Sequence, residues 1–469
     1  MFDTSTIALG PRKFWIGILL ISQMSLGLLV ILVPMPYLAL LLLPIPLVII
    51  YHKPLLGYLV LIAFLPNYGI DLYKIGGTMD VSLLEPAVFI ALIGLCMQFL
   101  KERKLRIHVT EVEITLFLLY AWAACSILWS PDKTRAFQQI IKISIGYVIY
   151  MLSITMIKDK KDFNTVVGMW LFLILVMSAV SILEVFGGGF SAADKYIFTP
   201  GYDKIHKDVR TTAMFEGADM VGFLTSFTVI IFISYLLFIP RGRLRTTLYV
   251  GVLLALFMLI TAMARKSFLG LGASLFFMVL FLPRESSKRL LWYISGAFGL
   301  ILLVLLTLGT AGFLEALGER LSSLFMEPTE AAKNRMEAWQ VGFMLFAQSP
   351  VLGSGLGSFF HIAVETESHL RFPHSFFVFI ISELGLIGFS LFLLLIFQTG
   401  RRFAMLKKNT PHEATKILAV GITAGLISIL VQMGFRSISL TDPTFWGFLG
   451  LALAFLKISS SDLGTRVTR

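Results

Sequence analysis

The chain has 469 residues, of which 57% are hydrophobic and 14% charged, and its mean hydropathy is +0.85. Soluble domains carry roughly 25% charged residues, so this composition excludes an ordinary soluble domain. The formal net charge is +11, but the basic residues lie mostly in short connections between apolar runs. Nucleic acid is therefore not an expected partner.

Apolar runs bounded by charged residues recur along the whole chain, and most are long enough to cross about 30 Å of hydrocarbon as helices. Only helices and closed barrels satisfy the backbone in lipid, and these runs are too continuous for barrel strands. The sequence predicts an all-α polytopic membrane protein, a single integral membrane domain over residues 1–469. The predicted spans are 14–33, 36–51, 55–66, 83–100, 113–130, 138–157, 165–187, 216–239, 247–263, 267–282, 290–312, 375–399, 417–435 and 442–456.

The number of transmembrane helices is predicted as 12–14. Span 55–66 is short, and span 36–51 contains Pro44 and Pro46. Either total places both chain ends on one side, where 24 of the 39 Lys and Arg residues also lie. The positive-inside rule makes this side cytoplasmic. We therefore expect a multi-pass protein of the cytoplasmic (inner) membrane with both termini in the cytoplasm.

Two external connections are long: a first external loop at 188–215 and a large external loop at 313–373. Long loops in compact proteins are usually functional or disordered. The second has apolar residues at spacings of three and four, among them Met336, Trp339 and Phe343. This pattern predicts amphipathic helices on the membrane surface or over the bundle.

External arginines are the first candidates for binding. Arg210 ends the first loop, and Arg265 lies in the tight turn between two apolar helices. A charge at membrane depth is by default a functional hypothesis, and the guanidinium group suits phosphate recognition. The alternative is that Arg265 and its neighbour Lys266 extend to the lipid headgroups.

The large external loop supplies two more candidates. Arg335 and Trp339 are four positions apart and share a helix face. They form either a packing pair that holds the helix down or a phosphate contact by Arg335 with Trp339 in support. The stretch 353–357, with glycine at every second position, lacks the lysine of a phosphate loop and favours a sharp turn back to the membrane.

His374 is the candidate catalytic residue. It follows Pro373 and precedes span 375–399, so it should lie at an external helix N-terminus. The positive end of the helix dipole lowers the pKa of an imidazole there, and a neutral histidine can act as a general base for a hydroxyl. The alternatives are a helix cap or an interfacial histidine, and His361 and His369 lie in the same loop.

Acidic residues have structural explanations. Glu216 and Asp219 open span 216–239, where the helix dipole favours negative charge, and they could also pair with Arg210. Glu383 falls inside span 375–399, so it should have a partner, for which an arginine is one candidate.

These residues resemble a known family, the O-antigen ligase and polymerase superfamily. The motifs that carry the resemblance are Arg335-x-x-x-Trp339, the stretch 350–357, His374, the stretch 383–388, and Arg210 and Arg265 ahead of them. It covers roughly residues 205–390. Ser375 stands where the family often has asparagine, and residues 211–219 depart from the usual Gly/Asn-rich stretch.

The resemblance implies a GT-C-like membrane glycosyltransferase that acts at the outer face of the membrane, inverting and without a metal or other cofactor. Its donor would be a glycan on polyprenyl (undecaprenyl) pyrophosphate. Its acceptor would be a glycan, a lipid A core sugar or a protein hydroxyl. Carried over by position, Arg210 and Arg265 would bind the pyrophosphate, His374 would activate the acceptor, and Arg335 would shape or charge the site.

Two other classes of protein compete with this interpretation. A lipid-linked oligosaccharide flippase or exporter would place its polar residues near the membrane midplane. Here they gather at the outer face, which favours the enzyme. A non-catalytic assembly scaffold would have no need of His374.

Overall fold

The computed structural model describes residues 50–65, 71–75, 79–82, 84–102, 110–186, 218–262, 264–308, 330–365, 373–435 and 440–467. The predicted span 14–33, nearly all of span 36–51 and the first external loop with Arg210 lie outside these residues.

Helices dominate the described part of the chain. They are α1 (Leu55–Phe64), α2 (Leu84–Glu102), α3 (Glu111–Cys125), α4 (Lys133–Met156), α5 (Lys160–Phe186), α6 (Ala218–Leu236), α7 (Arg243–Ala262), α8 (Arg265–Phe281), α9 (Arg284–Leu308), α10 (Glu330–Gln348), α11 (Ser358–Glu365), α12 (Phe376–Asn409), α13 (Glu413–Met433) and α14 (Pro443–Val467).

The fold prediction is confirmed as an all-α polytopic membrane protein. Nine helices among the described residues are long and apolar enough to cross a membrane, namely α2 to α7 and α12 to α14. Helix α8 has 17 residues and is not one of the nine.

The predicted span 55–66 is wrong as a membrane crossing. Helix α1 has 10 residues, about 15 Å of helix, which is half the thickness of the hydrocarbon. It packs along α2 instead. After it comes an antiparallel hairpin of β1 (Asp71–Ile75) and β2 (Met79–Ser82), which the apolar pattern did not predict.

Helix α6 is the centre of the bundle, because 94% of its span Asp219–Leu236 is buried. A buried polar network joins it to α8 and α13. The Gln432 side chain accepts a hydrogen bond from Ser267 Oγ at 2.6 Å and donates one to Ser226 Oγ at 2.8 Å. Because Ser267 is in the first turn of α8, this network fixes the start of that helix, which carries Arg265 and Lys266.

Helix α12 is interrupted at Gly385, where φ is 65° and ψ is −166°. The helix is therefore two segments, a short one that follows His374 and a long one that runs to Asn409. At the far end, Arg402 Nε lies 3.3 Å from the Glu111 carboxylate at the start of α3. Helices α3 and α12 consequently run side by side in opposite directions.

Candidate functional site

The break in α12 is filled by the glycine-rich loop at 349–357. Leu386 N–H donates to Pro350 O at 2.9 Å, and Ser382 O accepts from Ser354 N–H at 2.9 Å. In an unbroken helix Leu386 N–H would have donated to Ser382 O. The loop thus supplies the donor and acceptor that the break leaves free, as buried backbone groups require.

Two glycines make this contact possible. Gly353 has φ 77°, and a Cβ added there would lie 2.4 Å from Gly385 N. A Cβ on Gly385 would lie 2.4 Å from Gly353 N. The predicted turn at 353–357 that leads back to the membrane is consistent with this packing. The absence of a side chain at these glycines lets the two backbones come into contact.

The connection between α3 and α4 holds the same loop from the other side. Trp129 Nε1 donates to Gly353 O at 3.0 Å, and Ser130 Oγ donates to Leu356 O at 2.7 Å. Trp122 Nε1 donates to Leu384 O, a carbonyl freed by the break, at 2.9 Å. Both indoles are therefore hydrogen-bonded parts of the loop's support.

Glu383 is 1% exposed and has backbone partners. Its carboxylate accepts hydrogen bonds from Gly357 N–H at 3.0 Å and Phe359 N–H at 3.2 Å. An arginine was considered as its partner from the sequence. In the structure, Arg135 contributes a nearby positive charge. Glu383 therefore fastens the end of the loop and the start of α11 to the short segment of α12.

His374 lies two residues before α12 and is half-buried. Its φ of 49° is left-handed, a conformation that is uncommon outside glycine and costs about 1–3 kcal/mol. Burial lowers the pKa of its imidazole, and the positive charges of Arg335 and Lys266 lower it further, while Asp219 opposes them. The imidazole is consequently neutral near pH 7.

A charged cluster, defined here as Asp219, Lys266, Arg335 and His374, forms at this end of the bundle. Lys266 Nζ lies 2.5 Å from Asp219 Oδ2, and the lysine side chain is 11% exposed. Four different parts of the chain contribute: the first turns of α6 and α8, helix α10, and the residue pair before α12. The cluster combines a neutral base with fixed positive charge.

Helix α10 carries Arg335 on its exposed side and Trp339 half-buried one turn later. Small residues face the bundle: a Cβ on Gly342 would lie 2.3 Å from Val378 Cγ1. The large apolar side chains Met336 and Phe343 are more than half exposed. The helix predicted in the large external loop is present; Met336 and Phe343 face outward, whereas Leu345 is buried.

Of the predicted binding residues that the structure describes, Arg335 is the one whose charge lowers the pKa of His374. Arg265 begins α8 and is half-buried beside Lys266. Consecutive helical residues point about 100° apart, so the two cations face different directions. Lys266 is the one whose charge acts on His374. Arg210 lies outside the described residues.

Residues 250–393 match the family model described as O-Antigen ligase. This match supports the resemblance to the O-antigen ligase and polymerase superfamily over that part of the chain. The matched segment contains Arg265, Arg335, Trp339, His374 and the broken helix with its loop. No curated protein matches the chain. The match supports a membrane enzyme of the O-antigen ligase and polymerase type.

Sequence reasoning missed Lys266, Trp122 in α3 and Trp129 in the α3–α4 connection. Lys266 could have been found from its position at the start of a membrane helix, one residue after the arginine that was chosen. Trp122 and Trp129 had no such signal, because tryptophan near a membrane interface is ordinary. Among the described residues there is no group of three or more His, Cys, Asp or Glu that could hold a metal ion.

Proposed function

We propose that the chain transfers or polymerises glycan from a polyprenyl pyrophosphate donor onto an acceptor hydroxyl, as a surface polysaccharide polymerase or an O-antigen ligase. The observation that carries the proposal is the charged cluster, in which the charges of Arg335 and Lys266 act on His374. A neutral imidazole and fixed cations are the two groups that such a transfer needs.

His374 is the general base in this proposal. Its lowered pKa keeps the imidazole able to accept a proton. As the acceptor oxygen attacks the anomeric carbon, its proton passes to His374. The bond from the anomeric carbon to the donor phosphate oxygen breaks on the opposite face, so the configuration inverts.

Fixed cations take the charge of the leaving group. Lys266 and Arg335 lie in the cluster, and Arg265 and Arg210 join them in the proposal as pyrophosphate-binding residues. Such groups stabilise the developing negative charge without reorganisation, so this mechanism does not require a metal. Trp339 supports Arg335 by packing within the same helix turn.

The proposed site faces the outside of the bacterial cytoplasmic membrane. Arg402 lies in the long segment of α12, about 25 Å along the helix axis from the break at Gly385 and on the far side of that break from His374. The clustered basic residues at that end favour the cytoplasm by the positive-inside rule. The polar cluster at the outer end, near the expected depth of a lipid pyrophosphate, favours transfer over flipping.

The test is His374→Asn in the purified, lipid-reconstituted enzyme, supplied with lipid-linked glycan extracted from the host strain. Asparagine tolerates a left-handed backbone but is not a base, so the fold should survive. We expect transfer to fall by about 10²–10⁴-fold, the range for general base catalysis. The readouts are glycan product and released polyprenyl pyrophosphate.

The matched control is His52→Asn, an exposed histidine ahead of α1 that does not belong to the charged cluster. Retained transfer by His374→Asn would overturn the mechanism. Accumulation of lipid-linked glycan on the cytoplasmic side of cells that lack the protein would support the flippase instead.

A further inference from the structure

A cavity of about 480 Å³ lies beside the glycine-rich loop, away from the charged cluster. Its walls come from the α3–α4 connection, the end of α10, the loop and α11. The residues used below are Trp129, Leu345, Gln348, Ser349, Ser354 and His361. This volume is within the range of about 300–1,000 Å³ that small-molecule sites occupy.

The walls of this cavity are fixed by hydrogen bonds. Trp129 Nε1 donates to Gly353 O at 3.0 Å, and Ser354 Oγ donates to Leu345 O at 3.1 Å. The Trp129 ring also packs against Trp122, with ring centroids 5.4 Å apart. A site with walls held in this way loses little freedom when a ligand binds.

The lining residues select a neutral polar ligand. None of the described residues that line the cavity is Lys, Arg, Asp or Glu, so an anion such as a phosphate would find no permanent countercharge. A lipid chain would cover the Gln348 amide without offering it a hydrogen-bond partner, which is costly. A sugar fits both the aromatic and the polar parts of the lining. Its C–H face packs on an aromatic ring, and its hydroxyls form hydrogen bonds with amide and hydroxyl groups.

The cavity is remote from the proposed chemistry. Arg335 and Gln348 are at opposite ends of α10, about 20 Å apart along the helix axis. The group that occupies the cavity is therefore too far from His374 to contain the atoms that react. It is a part of the glycan some distance along the chain from the bond that forms.

We propose that this cavity is a saccharide subsite that holds a non-reacting part of the glycan. The inference rests on the proposed glycan transfer and deepens it. Gln348 and Ser349 bind sugar hydroxyls, and Trp129 forms the aromatic wall. Holding the glycan here increases the local concentration of its reacting end at His374.

The test measures binding of the oligosaccharide that mild acid releases from the lipid-linked glycan of the host strain. This probe lacks phosphate and lipid, so it isolates the cavity from the pyrophosphate site. The full-length protein in detergent is titrated with it. We expect Gln348→Ala to weaken binding about fivefold, as for one lost neutral hydrogen bond, and Gln348→Trp to weaken it more by filling the cavity.

The matched control is Gln340→Ala, an exposed glutamine of the same helix that does not line the cavity. It should bind the oligosaccharide as the unaltered protein does. Gel-filtration profiles establish that each variant is folded. Equal affinities in the unaltered protein and both Gln348 variants, or no binding by the unaltered protein, would overturn the subsite.

The two proposals fail separately. If His374→Asn stops transfer but keeps oligosaccharide binding, and Gln348→Ala weakens that binding, both stand. If the Gln348 variants bind normally while His374→Asn is inactive, only the subsite is wrong. If His374→Asn transfers normally while the Gln348 variants bind weakly, the base assignment is wrong and the subsite remains.

Discussion

Gly353 and Gly385 lie with their backbones in direct contact, so that a Cβ on either one would come within 2.4 Å of the backbone nitrogen of the other. One belongs to the loop at 349–357 and the other to a membrane helix. Their contact is the point at which the loop enters the broken helix, and it links the segment after His374 to the support formed by α3 and α4.

Gly385→Ala should separate the loop from the helix. The new methyl group would lie 2.4 Å from both Gly353 N and Val351 O, and φ is 65°. Such a change should lower the free energy of unfolding by more than ~2 kcal/mol. Thermal unfolding in detergent measures it. Gly400→Ala in the same helix has open space and should be neutral or slightly stabilising; an equal loss there would contradict the argument.

Glu383→Leu should release the loop end. It would leave the N–H groups of Gly357 and Phe359 without their acceptors, at about 1–3 kcal/mol for each buried group. Hydrogen exchange at these two amides should accelerate. Glu285→Leu, at an exposed ion pair with Lys288, provides the control. Unchanged protection of Gly357 and Phe359 would show that other groups hold the loop.

The acid limb of kcat/KM should lie below pH 6.5. Burial and the charges of Arg335 and Lys266 lower the pKa of His374, so the imidazole remains neutral until the pH falls through that lowered value. Arg335→Gln should move the limb to higher pH and Asp219→Asn to lower pH, because these charges act in opposite directions. A pH–rate profile for each variant measures this, and shifts of the same sign would refute the assignment.

Lys266→Met should weaken donor binding. If its ammonium group contacts pyrophosphate, its loss removes a charge-assisted interaction worth about 1.5–3 kcal/mol, or at least tenfold in KM for the donor. Lys288→Met, on an exposed helix face, should leave the KM unchanged. A normal donor KM in Lys266→Met would restrict this lysine to its ion pair with Asp219.

Apolar run length was sufficient to predict most membrane helices, because each crossing must bury its own backbone hydrogen bonds. It overestimated α1, whose short apolar run is followed by strand-forming residues. The break at Gly385 could not be predicted, because the groups that compensate for it are distant in sequence: Trp122, for example, is 262 positions from the carbonyl that it binds. The hydrophobic periodicity of a short segment does not indicate a hydrogen bond between residues so far apart in sequence.

The candidate site was predicted in part. His374 and Arg335 were identified by position and residue type, and their charges do interact. The choice of Arg265 over Lys266 depended on the chemistry of guanidinium, whereas helix rotation decides which neighbour faces the histidine. That rotation is fixed by Ser267 and Gln432, 165 positions apart.

The hydrogen bonds between the loop and α12 determine which segments can be exchanged when chimeric proteins are made with related chains. A graft that replaced residues 349–357 alone would combine a new loop with foreign partners at Ser382, Glu383 and Leu386. Residues 349–357 and 382–387 should be exchanged as one unit, together with the α3–α4 connection. Recombination within this unit would be selected against even where each parent sequence is well folded.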